Sequence, residues 1–136
     1  MAVEAAAPQL YILPAVAMGL VIGIIELIFV HQDERGMGWL GHGLHALPIM
    51  FIFIFVSMNV GWALSLIGMH ESLWINIAVR AVVGIVAMIK IGAAAAIAGK
   101  VGEKKFHILA IGALVIAAPY IWEYVLQGLV GQYLPF

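Results

Sequence analysis

The sequence predicts an all-α polytopic membrane protein: a four-transmembrane-helix up-down bundle with a short interfacial helix or turn before the second span. Three observations carry that prediction. Hydrophobic residues make up 65% of the chain and charged residues only 10%, whereas a soluble domain carries roughly 25% charge on average. Four apolar runs reach the roughly 20 residues that cross a hydrocarbon core of about 30 Å. The connections between them are short, which makes sequential helices antiparallel neighbours.

The first run, 10–30, contains one charge, Glu26. The stretch before it lacks the positive residues of a secretory leader, so the run is expected to stay as an anchor. The second run, 47–69, opens with Pro48, whose missing N–H suits a first helical turn. The third, 72–99, is interrupted by Arg80 and Lys90; the fourth, 106–128, holds Glu123 and also Pro119, which should kink it. Together they read as a single transmembrane domain over 1–136. Arg35 lies in the first connection and Lys100, Lys104 and Lys105 in the third, with no Lys or Arg in the second. The positive-inside rule therefore places both termini and His70 outside, in a multi-pass protein of the plasma membrane. Tyr11, Trp62, Trp74, Trp122, Tyr124 and Tyr133 would form the outer aromatic belt, with Trp39 at the inner interface.

Helices pack along positions alternately three and four apart, and on that spacing the polar residues fall on inward faces. His42, His45, Asn59 and His70 share one face of span two; Asn76, Arg80 and Lys90 share one of span three; Glu123 lies one turn from Gln127. Glu26 continues the small-residue stripe Ala15, Gly19, Gly23. Arg80 and Lys90 together cost roughly 5–7 kcal/mol on the insertion scale, and the Leu, Ile and Val residues of that span return only about 5. Span three therefore wants carboxylate partners. Depths at 1.5 Å per residue predict two ion pairs, Arg80–Glu123 and Lys90–Glu26, with Asn59 near the midplane between them. Such pairs either lock helix order and register or line a proton or ion path. On span two, Ser57, Gly61 and Ser65 form a second close-packing stripe on the opposite side, which either predicts association with another subunit, the same or different, or is met by a second helix of the same bundle.

The densest chemistry lies between Glu26 and His45. His42 and His45 are three apart on one helix face, which is metal-ligand spacing, and His31, Asp33 and Glu34 sit at the adjoining end of span one. Two to four of these side chains can meet around Zn²⁺, Cu²⁺ or Fe²⁺; alternatively the histidines satisfy backbone carbonyls and headgroups. Gly36, Gly38, Gly41 and Gly43 let the segment fold back tightly before Pro48. His107, beside Lys104 and Lys105, reads as an interface residue.

Much is excluded. There is no cysteine, hence no disulfide, thiolate metal site or thiol catalysis. Net charge −1 leaves no basic footprint for nucleic acid. No phosphate-binding loop, nucleophile elbow or dinucleotide fingerprint is present. The segment Gly19-Leu20-Val21-Ile22-Gly23-Ile24-Ile25-Glu26 resembles span one of the small multidrug resistance transporters. The likeness covers that segment alone, and two basic residues in span three depart from that family, whose core needs a free carboxylate for cations. Besides the lipid bilayer, the expected partners are other membrane subunits or further copies of the chain. The leading expectation is a non-catalytic subunit of a larger membrane complex, of energy-transducing or oxidoreductase type. The alternatives are a homo-oligomeric proton or ion channel or transporter along Glu26, Asn59, Arg80, Lys90 and Glu123, and a membrane metal-binding protein.

Overall fold

The computed structural model describes residues 8–34, 36, 38–97 and 104–135. Arg35 and Lys100, on which the orientation argument partly rests, lie outside the described residues. Among the described residues the fold is all-helical, without strands: α1 (Ile12–Asp33), α2 (Trp39–Met58), α3 (Val60–Leu66), α4 (Leu73–Ile97), α5 (Lys105–Ile121) and α6 (Gln127–Val130), with a π-helical segment, Trp122–Leu126, between the last two. Four stretches are long and apolar enough to cross a membrane: Ile12–Asp33, Trp39–Met58, Leu73–Ala93 and Lys105–Tyr133.

The α1–α2 contact is built on small residues. A Cβ added at Gly19 would lie 2.6 Å from the Phe51 ring, and one at Gly23 would lie 2.8 Å from a Leu47 methyl. Ala15, Met18, Ile22 and Glu26 complete the buried stripe of α1. It faces His42, Ala46, Met50 and Ile54, spaced by four along α2. The contact is one of close van der Waals approach, with glycine letting the two backbones come near.

The α4–α5 contact repeats the device at Gly84 and Gly112. A Cβ on Gly84 would meet the Gly112 carbonyl oxygen at 2.9 Å and overlap Ile116; one on Gly112 would overlap Met88. Only 11% of the α4 span is buried, against 28% or more for the other three, so this crossing is the main hold on α4.

Three details differ from the sequence reading. Among the described residues no separate interfacial helix precedes the second span: α2 runs unbroken from Trp39 through Pro48. The turn is made earlier, at Gly36 with φ +107°, a conformation glycine adopts without strain. His42, Ala46 and Met50 pack on α1 at helical spacing, and that packing keeps the residues before Pro48 helical. Second, the break in this span comes at Asn59 (φ −119°, ψ 36°), which separates α2 from α3. Third, Ser57, Gly61 and Ser65 do not form an outward stripe. Ser57 is buried against α5, Gly61 faces the Glu71 carboxylate, and only Ser65 is exposed.

Candidate functional site

The polar side chains gather at two ends of the molecule, and the larger assembly surrounds the breaks in two helices. Pro119 has no N–H to offer the Val115 carbonyl four residues earlier. The Ser57 hydroxyl donates to that carbonyl instead, at 2.6 Å. Past Pro119 the chain widens into the π-helical turn Trp122–Leu126, where the Gln127 N–H reaches the Trp122 carbonyl. Opposite it, Asn59 interrupts span two and ties it to α1. Its Oδ1 accepts the Tyr11 N–H at 2.6 Å, while its Nδ2 donates to the Tyr11 carbonyl at 3.3 Å and the Phe55 carbonyl at 2.9 Å. Asn59 thereby supplies a partner to the N–H at the start of α1, a group no helix can satisfy internally. It lies level with the beginning of α1 and not midway along the bundle, where the sequence reading put it.

Between these breaks lies a cavity of about 410 Å³, lined among others by Tyr11, Asn59, Trp62, Glu71, Arg80, Pro119, Trp122, Glu123 and Gln127. Arg80 donates through Nε to the Ser57 carbonyl at 3.1 Å and through Nη1 to the Tyr120 hydroxyl at 3.0 Å, with its guanidinium 5.1 Å from the centre of the Tyr120 ring. Glu71 accepts from the Asn76 side-chain amide. Ser72, next to it, caps α4 by accepting the Ile75 N–H at 3.3 Å. Arg80 and Glu123 thus share one cavity but, among the described residues, form no ion pair. Depth along the helices put Glu123 level with Arg80, but Glu123 lies in the π turn, where angular register shifts, and Tyr120 takes the guanidinium instead. Glu71 was missed from sequence; its only signal was a carboxylate directly before the Ser72 cap.

The other end joins α1, α2 and α5. Asp33, its side chain 1% exposed, accepts the Lys104 N–H at 2.9 Å, pairs with the Lys104 ammonium at 3.6 Å and bonds His107. A carboxylate thus sits on the N-terminus of α5, where the helix dipole favours negative charge. The His107 ring stacks on Phe29, centroids 4.1 Å apart. His31 lies on Trp39 at 3.7 Å, and the Nδ1 atoms of His31 and His42 are hydrogen-bonded at 3.2 Å. Glu34 approaches the far side of the His42 ring at 4.0 Å. His31, His42 and Glu34 therefore meet, whereas Asp33 turns away to α5. His45 is exposed and shares a cavity of about 40 Å³ with Glu26, Glu34 and Lys90. Among the described residues no three His, Asp or Glu side chains converge as a metal site.

Glu26 is 2% exposed and one of its oxygens has no partner among the described residues. It shares that small cavity with Lys90 without an ion pair, because Lys90 is exposed on α4. A completely buried apolar layer separates the two polar ends: Met18 and Ile22 from α1, Met50 and Ile54 from α2, Ala87 from α4, Ile111 and Val115 from α5. No known protein family, curated protein or solved structure matches this chain.

Proposed function

We propose that this chain is a four-span up-down bundle of the plasma membrane, with both termini outside, that takes up a small polar solute from the outer side into the 410 Å³ cavity. One observation carries the reading: α-helical geometry fails twice, at Asn59 and at Trp122–Leu126, and both failures face the same cavity. At membrane depth irregular backbone is tolerated only inside protein or along a water-filled space, and π turns gather at functional sites. The up-down order is supported by the two end clusters. Asp33, His31, His42 and His107 draw together the end of α1 and the starts of α2 and α5, while Asn59 meets the start of α1. The apolar layer between the polar ends favours a carrier that alternates over an open pore.

The chain has no cysteine, so single-cysteine variants report directly. Gln127→Cys is expected to react with a membrane-impermeant maleimide in intact cells, and Lys105→Cys only after permeabilisation. A panel of small cations, anions and zwitterions at millimolar concentration should contain a class that raises the melting midpoint and protects Gln127→Cys. Saturating solute at a hundredfold its Kd adds about 2.7 kcal/mol. No stabilising class, together with an unreactive Gln127→Cys, would overturn the reading.

A second role, subunit of a larger membrane assembly, is favoured by α4. It is the least covered span and exposes Leu73, Trp74, Ile77, Val82, Ile85 and Ile89 along with Lys90. Mild-detergent extraction followed by native electrophoresis is expected to return the chain with a partner of different mass. A lone monomer would remove this role and leave the cavity reading untouched.

A further inference from the structure

The geometry points to an ammonium group, on a small amine or quaternary amine, as the occupant of the outer cavity. This rests on the reading of that cavity as a solute site. Its charged lining is two carboxylates, Glu71 and Glu123, against one guanidinium, Arg80. The guanidinium is held by the wall: Nε and Nη1 are spent on the Ser57 carbonyl and the Tyr120 hydroxyl, and the Tyr120 ring covers one of its faces. Glu123 has no hydrogen-bond or ion-pair partner among the described residues. Glu71 accepts from the Asn76 amide, so Glu123 is the open carboxylate of a cavity whose charged lining is net negative.

The remaining lining suits the same chemistry. Tyr11, Trp62 and Trp122 border the space, and aromatic faces attract alkylammonium ions through the ring quadrupole. Asn59, Gln9 and Gln127 add neutral hydrogen-bonding groups. The volume, about 410 Å³, lies within the roughly 300–1,000 Å³ of small-molecule sites. A carboxylate ligand could reach the remaining N–H groups of Arg80 only against repulsion from Glu71 and Glu123. An uncharged one would leave Glu123 without a counter-ion.

The ammonium can belong to a free solute or to a lipid headgroup, and the host membrane separates the two. The full chain is reconstituted in nanodiscs of phosphatidylglycerol, which lacks ammonium, and titrated with tetramethylammonium or choline chloride against sodium chloride. Tryptophan emission and the melting midpoint are read. Saturable change with both ammonium salts and none with sodium is expected. Glu123→Gln, a near-isosteric change at an exposed position, is expected to weaken binding at least tenfold while leaving the melting midpoint without ligand unchanged, and Glu71→Gln to weaken it also. Repeating the titration in phosphatidylcholine identifies the source. A raised apparent Kd assigns the headgroup and an unchanged one assigns the free solute, and either keeps the ammonium assignment. No saturable response, or an undiminished affinity in both variants, overturns it. If a carboxylate stabilises the protein where ammonium does not, the site stands and its ligand class falls; if nothing stabilises it, the site itself falls.

Discussion

Replacing Gly84 by valine is expected to part α4 from α5 and to cost the fold 3 kcal/mol or more, on the order of the largest overpacking effects. Besides the Ile116 side chain, the added Cβ there meets the Gly112 carbonyl oxygen at 2.9 Å. Backbone inside a hydrogen-bonded helix cannot yield as a flexible side chain does. At Gly19, by contrast, the obstacle is the Phe51 ring, which can rotate or shift. Few other contacts retain α4, since only 11% of its span is buried. Gly84→Ala should give an intermediate loss of about 1–2 kcal/mol. Unfolding in mixed micelles of increasing denaturing detergent measures both. A Gly84→Val protein as stable as the parent would mean that α4 is held elsewhere.

Asn59→Ala is expected to give the second large effect, a loss of roughly 2–4 kcal/mol. The buried amide makes three hydrogen bonds, to the Tyr11 N–H, the Tyr11 carbonyl and the Phe55 carbonyl. Each contributes about 0.5–1.5 kcal/mol, and a partner left bare inside protein adds its own desolvation cost. Interhelical bonds in membrane proteins average nearer 0.6 kcal/mol, which sets the lower bound. Asn59→Asp keeps the acceptor for the Tyr11 N–H but loses both donated bonds, and should fall between parent and alanine. The same unfolding assay reads the series. Because Tyr11 and Asn59 both line the 410 Å³ cavity, the alanine variant should also weaken the solute binding proposed for it. An Asn59→Ala protein with unaltered stability would show that the start of α1 needs no anchor.

The spans were legible because their signal is a sum over some twenty residues, and a sum tolerates local error. Ala15, Gly19 and Gly23 were legible as a close-packing stripe because α1 is regular and its period holds along its length. The pairing of charges was not. Arg80 and Glu123 were paired by equal depth, which says nothing of the direction each side chain takes, and the π turn after Pro119 changes that direction. The Lys90–Glu26 pair assumed an inward Lys90, which the structure leaves exposed. Asp33 looked like a metal ligand beside His31 and His42, yet it binds the start of α5, seventy residues away in sequence. Glu71 sat in a two-residue connection that carried no pattern at all.

Composition and periodicity by themselves determined that four helices here are apolar and long enough to cross a bilayer, and which stripe of α1 meets its neighbour. Both follow from local rules: residue hydrophobicity, and the 3.6-residue repeat that every backbone hydrogen bond enforces. Tertiary structure alone decided where that repeat fails, at Asn59 and beyond Pro119, because a broken helix survives only when a distant group takes up the bonds it frees. Here the Ser57 hydroxyl takes the Val115 carbonyl that Pro119 frees, the Asn59 amide at the other break ties the start of α1 at Tyr11, and the cavity is the space between the two breaks.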